Sequence, residues 1–182
     1  MSLTRTLLFA IGGVLLGGVI HIVIVLMLPA FSYRDAWTSM GRFGPDGGFH
    51  VLPLADPETE PFPYLDPHMA LAVCRFTLDE PVHITAALTD DFWSVGLFDR
   101  RGRSVYSLND RSAEGSQLKL VIVTPDQMAE IRQGPAAELE SSILVELPIS
   151  AGFVLLRVFI PDDSTLSDVS TALSTADCSN RL

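Results

Sequence analysis

Residues 152–160, GFVLLRVFI, form an almost unbroken apolar run that ends at Pro161. The run has the length of a β-strand and is rich in branched and aromatic side chains, which are typical of strands. A strand with apolar side chains on both faces must be covered on both sides. We therefore predict that residues 152–160 form a central strand, and that the rest of the domain is arranged around it.

Other short strands separated by turns precede this run. Residues 82–88, VHITAAL, alternate in polarity, which is typical of a strand with one buried face. The predicted buried face comprises Val82, Ile84, Ala86 and Leu88. Further strands are predicted at residues 69–78, 92–99, 104–108, 117–123 and 142–147. The segment RRGR, with a glycine at position 102, predicts a hairpin turn between two of these strands.

Two short helices complete the predicted domain. Thr124-Pro125-Asp126-Gln127 has an N-cap residue, a proline at the first helical position and the Gln of a capping box, so a helix should run from here to about Gln133. Residues 162–176 predict a second, weaker helix. We expect a mainly β fold, a β-rich α+β domain in which an antiparallel, sandwich-like structure carries one or two short helices.

The N-terminal segment is the most apolar part of the chain. Residues 6–31 contain no charged side chain, and this run exceeds the roughly 20 residues that span a bilayer. It is also longer than the roughly 7–15 apolar residues of a secretory signal peptide. We predict an anchor at residues 1–32, a connector rich in Pro and Gly at 33–67, and an extracytoplasmic β domain at 68–182. The small residues of Ala30-Phe31-Ser32 leave a cleavable signal peptide open.

Charge limits the possible partners. The chain has 12 Lys and Arg and 22 Asp and Glu, a net charge of −10, and Arg5 is the only charged residue before Arg34. A domain this acidic is a poor ligand for nucleic acid or anionic lipid headgroups.

Placing the short N-terminal tail in the cytoplasm predicts a single-pass protein of the inner membrane with a periplasmic C-terminal domain.

A stripe of small residues within the apolar segment ends in a histidine. Gly13, Gly17 and His21 are four residues apart, so they share one face of a helix. Small residues at this spacing allow close packing of two membrane helices, and an ionisable side chain in a membrane usually faces protein or water. Alternatively, these glycines are ordinary for a membrane helix, and His21 reaches the interface.

The connector carries apolar side chains that a free linker would not need. Residues 41–67 contain six of the chain's 12 prolines, which predicts an irregular path. We expect its larger apolar residues to lie along the domain or a partner: Phe49, Val51, Leu52, Leu54, Phe62 and Tyr64. Just before it, Tyr33 and Trp37 are candidates for interfacial anchors.

Two cysteines and three arginines are the candidate site residues of the β domain. Cys74 and Cys178 are predicted to form a disulfide, which an extracytoplasmic location permits; the alternative is one buried and one exposed thiol. Arg100, Arg101 and Arg103 at a hairpin tip form a candidate anion contact, against the alternative of a solvated turn. We recognise no catalytic motif, metal-ligand spacing or cofactor-binding loop, and we predict no cofactor.

Three segments resemble a known family: DPHMALAVCRFTLDEPVHI (66–84), FWSVGLFDRRGRSVYSLNDRSA (92–113) and LVIVTPDQM (120–128). The chain resembles the short, membrane-anchored form of the domain of unknown function 1254, found in alphaproteobacteria. The resemblance carries over no active-site residues. It implies a partner, because short forms tend to be encoded beside a membrane-anchored protein of the domain of unknown function 1214 type.

We weigh three functions on this basis. The first is a binding or assembly subunit of an inner-membrane complex, which should expose a broad apolar surface. The second is an envelope enzyme whose site is completed by a partner subunit, which should show a polar pocket with shifted pKa values. The third is a homodimeric structural protein that pairs through the helix stripe.

Overall fold

In the computed structural model, a long helix precedes a β domain made of two sheets, which confirms the predicted fold class. The structure describes residues 3–54, 65–113, 116–134, 139 and 141–180, and for residues 29–35 only the backbone. The helices are α1 (Leu3–Met40), α2 (Pro125–Gln133) and α3 (Leu166–Ser174). The strands are β1 (His50–Val51), β2 (Met69–Thr77), β3 (Val82–Ala87), β4 (Trp93–Asp99), β5 (Ser104–Asn109), β6 (Gln117–Val123), β7 (Ile143–Glu146), β8 (Ala151–Phe159) and β9 (Asp177–Ser179).

The two sheets differ in strand order. The five-stranded sheet has the order β1-β2-β8-β4-β5 and the four-stranded sheet has the order β7-β6-β3-β9. All pairs are antiparallel except β6 and β7, which are parallel. This pair departs from the antiparallel pattern expected from the sequence, because α2 returns the chain to the starting edge before β7 begins.

The predicted central strand is β8, which lies third of five in its sheet. Its inward side chains Val154, Leu156 and Val158 are completely buried in the core between the sheets. On its other face, Phe153 and Leu155 belong to a separate apolar cluster. Both faces are thus covered along much of the strand, which explains the nearly continuous apolar run.

The core between the sheets follows the predicted alternation. Val82, Ile84 and Ala86 of β3 are buried, and Leu88 just after the strand is buried with them. Burial of this apolar face stabilises the fold by about 25 cal/mol per Å² of apolar surface removed from water. Val169 and Leu173 of α3 are buried in the same core.

A disulfide joins the two sheets. Cys74 of β2 lies in the five-stranded sheet, Cys178 of β9 lies in the four-stranded sheet, and their Sγ atoms are bonded. Both residues are completely buried. The predicted pairing is therefore confirmed, and it holds the last strand against the first long strand of the domain.

The predicted capping box at the start of α2 is also present. Gln127 donates its backbone N–H to the Thr124 hydroxyl at 3.3 Å, and the backbone N–H of Thr124 donates to the Gln127 side chain at 2.9 Å. Gln127 also donates its side-chain amide to the Leu78 carbonyl oxygen at 3.1 Å. The cap therefore ties the helix to the loop after β2.

Helix α1 is long and apolar enough over Leu3–Leu28 to cross a membrane, and its side chains are exposed there. The helix continues to Met40, so the first part of the predicted connector is helical. Beyond it, Phe49 and Leu52 pack against the domain as expected, whereas Val51 and Leu54 are exposed. Phe62, Tyr64 and the side chain of Tyr33 lie outside the described residues.

Candidate functional site: the outer face of the five-stranded sheet

The five-stranded sheet has an outer face, formed by side chains of β2, β8, β4 and β5 that point away from the other sheet. The register arranges them in rows. One row contains Arg75, Phe153 and Phe98, and the next contains Val73, Leu155 and Gly96. A third row contains Leu71, Arg157, Ser94 and Asn109. The first two rows and Leu71 lie under other parts of the chain. The rest of the third row forms the open part of the face, where Arg157 is exposed and Asn109 is partly exposed, although Ser94 itself is buried.

The covered part lies under the end of α1 and the segment that follows it. Leu71, Val73 and Phe153 are buried together with Leu52. The residues that pack over them from α1 and the connector are Ala36, Trp37, Met40, Phe43 and Leu65. We call this group the apolar cap. It joins the helix to the domain by side-chain packing as well as by the chain itself.

Trp37 lies between two arginines at the edge of the apolar cap. The guanidinium carbon of Arg75 is 4.8 Å from the centroid of the Trp37 ring, and that of Arg100 is 4.9 Å from it. Such contacts contribute about 0.5–2 kcal/mol each. Arg75 also donates Nη1–H to the Trp37 carbonyl oxygen at 3.2 Å and pairs with Asp46 at 2.5 Å. Trp37 is therefore part of the joint between helix and domain, rather than an isolated interfacial side chain.

The hairpin tip between β4 and β5 is built around the carboxylate of Asp99. Its Oδ1 accepts the backbone N–H groups of Arg101 and Arg103 at 2.9 and 3.0 Å. Its Oδ2 accepts from Nε of Arg103 at 2.8 Å. Gly102 adopts a φ of +77°, which glycine accommodates without strain, and a Cβ there would come within 3.2 Å of the Ala36 methyl group.

These contacts lower the pKa of Asp99. Burial alone raises it, but the hydrogen bonds from the backbone and side chain of Arg103, the backbone N–H of Arg101 and the positive charge of Arg103 together outweigh burial. The carboxylate therefore stays ionised and shapes the tip.

The three arginines of the predicted anion contact have different environments. Arg100 lies over the Trp37 ring, Arg103 pairs with Asp99 at 2.7 Å, and Arg101 is exposed. Two of the three guanidinium groups are thus engaged within the protein. Anion binding at this tip remains a prediction, with Arg101 as the member whose guanidinium has no partner among the described residues.

The open part of the outer face contains a groove of about 300 Å³ lined by Phe92, Ser94, Ser107, Leu108, Asn109, Ser112 and Arg157. Ser94 is only 6% exposed, and its Oγ is buried without a hydrogen-bond partner in the described chain. No motif in the sequence predicts this groove. The one signal of it in the sequence is the charged Arg157 within the apolar run of the central strand.

Other candidate residues do not converge. His50 forms a hydrogen bond with the Pro45 carbonyl oxygen at 2.8 Å, and His68 lies beside the Phe159 ring. Among the described residues, no group of three or more His, Cys, Asp or Glu side chains is placed to hold a metal ion. Gly13, Gly17 and His21 lie on the exposed part of α1, and a Cβ at either glycine would meet no atom within 4 Å.

Comparison with known families decides where the chain belongs. A family model described as "Protein of unknown function (DUF1254)" matches residues 49–178, more than half of the chain. The chain belongs to the DUF1254 family. The region shared with the family begins at Phe49 within the predicted connector and ends at Cys178, so this DUF1254 region contains both cysteines of the disulfide. No match was found among curated proteins.

Two solved structures are similar to this DUF1254 chain. The VPA0106 protein from Vibrio parahaemolyticus has a TM-score of 0.58 at 11% identity, over 83% of this chain and 36% of that protein. An uncharacterized protein from Burkholderia cenocepacia has a TM-score of 0.47 at 13% identity, over 75% of this chain and 38% of its own. The chain thus spans little more than a third of the length of either. The first likeness shows the fold alone.

Proposed function

We propose that the protein is a single-pass protein of the inner membrane whose periplasmic DUF1254 domain acts as a binding or assembly subunit of a membrane complex. One observation carries the proposal. The helix with the candidate span Leu3–Leu28 continues unbroken to Met40, where Trp37 and its neighbours pack onto the sheet. An anchor joined to its domain in this way presents the domain at a set position, which an assembly subunit requires.

The geometry of α1 supports a position close to the membrane surface. Trp37 comes nine positions after Leu28, and at 1.5 Å per residue this corresponds to about 14 Å of helix. One headgroup layer is about 5–8 Å deep, so the apolar cap lies just beyond the headgroups on the side of the domain. A partner in the same membrane would meet the domain without a long linker.

The disulfide supports the proposed side of the membrane. Disulfides persist in oxidising compartments such as the periplasm and are rare in the cytoplasm. Cys74 and Cys178 lie in the domain that follows the span, so an oxidising location for that domain places the short N-terminal tail in the cytoplasm.

The proposed partner contacts the span through Gly13, Gly17 and His21, whose face of the helix is exposed along α1. The resemblance to short DUF1254 proteins favours a membrane protein of the domain of unknown function 1214 type, and a second copy of this chain is the alternative. Close backbone approach at the two glycines would strengthen the packing of either partner.

A pull-down from native membranes in mild detergent, followed by mass spectrometry, tests the proposal. We expect one membrane protein in a fixed ratio to the tagged chain. Gly17→Leu should abolish recovery of this partner, because the leucine side chain fills the space that the small residues leave on this face of the helix. Gly18→Leu is the matched control, since it adds the same side chain at the same depth about 100° around the helix.

Recovery of the tagged chain alone, or equal recovery with both variants, would contradict the proposal. Cross-linking of a Gly17→Cys variant to itself would assign the stripe to a homodimer instead. Labelling of a cysteine placed after Met1 by a reagent that does not cross the inner membrane would overturn the proposed orientation.

A further inference from the structure

Polar side chains form one row across the open part of the outer face. Arg157 of β8 lies opposite Ser94 of β4, and Ser94 lies opposite Asn109 of β5. Neighbouring strands are about 4.8 Å apart, so the row extends over about 10 Å. All three residues line the same groove. A small molecule therefore has the right size to contact several of them at once.

Ser94 indicates that the groove is built for a polar ligand atom. The residue is 6% exposed, and its Oγ has no hydrogen-bond partner among the residues that the structure describes. A buried hydroxyl without a partner costs free energy, because it has lost its hydrogen bonds to water and gained none within the protein. The flanking residues Trp93 and Val95 are buried in the core, so Ser94 faces the groove from the sheet itself. A ligand acceptor in the groove would remove this cost.

The positive charge of Arg157 favours a negatively charged ligand. Among the described residues that line the groove it is the only charged one, and it is exposed. No described residue forms an ion pair or hydrogen bond with it. This is unusual in a chain with a net charge of −10, where acidic partners are abundant. A guanidinium without a partner in the described part of the chain matches a carboxylate, with which it can form two parallel, charge-assisted hydrogen bonds.

The remaining lining adds a second polar position and an apolar wall. Ser112 donates its hydroxyl to Oδ1 of Asn109 at 3.3 Å, which leaves the Asn109 Nδ2 amide free to donate to a ligand. Phe92 lies in the same groove and is 46% exposed. The volume of about 300 Å³ is at the small end of ligand pockets. These features fit a small molecule with an acidic and an apolar part.

We propose that this groove binds a small organic acid. Arg157 and the Ser94 hydroxyl bind its carboxylate, the Asn109 amide donates to a further acceptor, and Phe92 contacts its apolar part. The inference stands independently of the membrane partner, because every residue involved belongs to the five-stranded sheet or the turns beside it.

Benzoate and benzamide provide a matched pair of probes, because they have the same ring and differ in charge. The full-length chain in dodecyl maltoside micelles would be titrated with each and followed by ligand-observed saturation-transfer NMR. We expect benzoate to bind at least about 10-fold more tightly than benzamide, because a hydrogen bond between charged groups contributes about 1.5–3 kcal/mol. Inorganic phosphate is the competitor that distinguishes a carboxylate site from a general oxyanion site.

Three variants localise the binding. Arg157→Gln should lower the affinity for benzoate about 10-fold or more. Arg132→Gln is the matched control, since it removes an exposed arginine of α2 that lies outside the groove, and it should leave the affinity for benzoate unchanged. Ser94→Ala should weaken binding without reducing the thermal stability, because the Ser94 hydroxyl has no partner to lose in the described structure.

The proposal is overturned if benzoate and benzamide bind equally, or if benzoate binding survives unchanged in Arg157→Gln. It is also overturned if phosphate displaces benzoate at equal concentration, which would indicate an oxyanion site without a preference for organic acids. Weaker binding in both Arg157→Gln and Arg132→Gln would indicate attraction by overall charge, and would overturn it as well.

Discussion

The guanidinium group of Arg75 lies 4.8 Å from the centroid of the Trp37 ring, and it also donates a hydrogen bond to the Trp37 backbone carbonyl. These two residues come from the end of the long helix and the first long strand of the domain. The Arg75 side chain, which is only 18% exposed, thus links the anchor to the outer face of the sheet. The joint predicts that the helix and the domain move together.

Trp37→Ala should loosen this joint and leave the two-sheet core folded. The variant removes the ring on which Arg75 and Arg100 stack and opens the apolar cap. If the local opening free energy falls by about 1.4 kcal/mol or more, the amide hydrogens of residues 36–43 should exchange at least about 10-fold faster. Hydrogen exchange with mass spectrometry would measure this. Trp37→Phe keeps a ring and should change the exchange less; equal exchange in wild type and Trp37→Ala would contradict the joint.

Reduction of the disulfide should destabilise the domain by about 2–4 kcal/mol. Cys74 and Cys178 are 104 residues apart in sequence, so the bond removes much conformational freedom from the unfolded chain. Urea denaturation with and without reductant, followed by the fluorescence of the buried Trp93, would measure the change. Cys178→Ser should match the reduced wild type and show no response to reductant. Detection of two free thiols in protein from the envelope would contradict the pairing.

Asp99→Asn should destabilise the protein at neutral pH by about 1.5–3 kcal/mol, the usual contribution of a hydrogen bond to a charged group. The pKa of Asp99 is lower in the folded state than its ordinary value of 3.8. The unfolded chain therefore binds the proton more readily, and the contribution of Asp99 is present above about 3.8 and lost as the pH falls through the folded pKa.

The difference in unfolding free energy between wild type and Asp99→Asn should accordingly shrink in acid, which denaturation curves at several pH values would measure. Asp79→Asn is the control, because Asp79 is exposed and no described residue forms a hydrogen bond with its side chain. A difference that does not depend on pH would show that the ionised carboxylate does not stabilise the tip.

Gly152→Ala should destabilise the fold by about 1–3 kcal/mol, because a Cβ there would collide with the Phe98 carbonyl oxygen on the neighbouring strand. The backbone of a central strand has little room to shift. Gly134→Ala is the matched control, since a Cβ at Gly134 would meet no atom within 4 Å. Thermal unfolding of both variants would measure the effect, and equal melting temperatures would contradict the close contact.

Most of the elements were predictable because their causes are local. The alternation of residues 82–88 matches the buried face of β3, and the apolar run at 152–160 matches β8 within one residue at each end. The capping box of Thr124 and Gln127 involves residues only three apart. Side-chain period and capping depend on neighbours in sequence, so the sequence carries them directly.

The candidate site was less predictable. The sequence indicated an anion contact at Arg100, Arg101 and Arg103 because they lie close together at a turn. In the structure, the side chains of Arg100 and Arg103 have partners within the protein. The groove was missed because Arg157, Ser94 and Asn109 lie far apart in sequence and meet only through strand register. Ser94 and Asn109 are ordinary polar positions on their strands, and the charge of Arg157 within an apolar run does not by itself indicate a groove.

The sequence by itself determined the long apolar helix, the order of the strands along the chain, the cap of α2 and the availability of two cysteines. Only the tertiary structure decided that β6 and β7 pair in parallel, that β9 pairs with β3, and that Trp37 lies between Arg75 and Arg100. The physical reason is the range of the interactions. Helix caps and side-chain alternation act over a few residues, whereas sheet order and the apolar cap depend on which surfaces bury each other once the whole chain is folded.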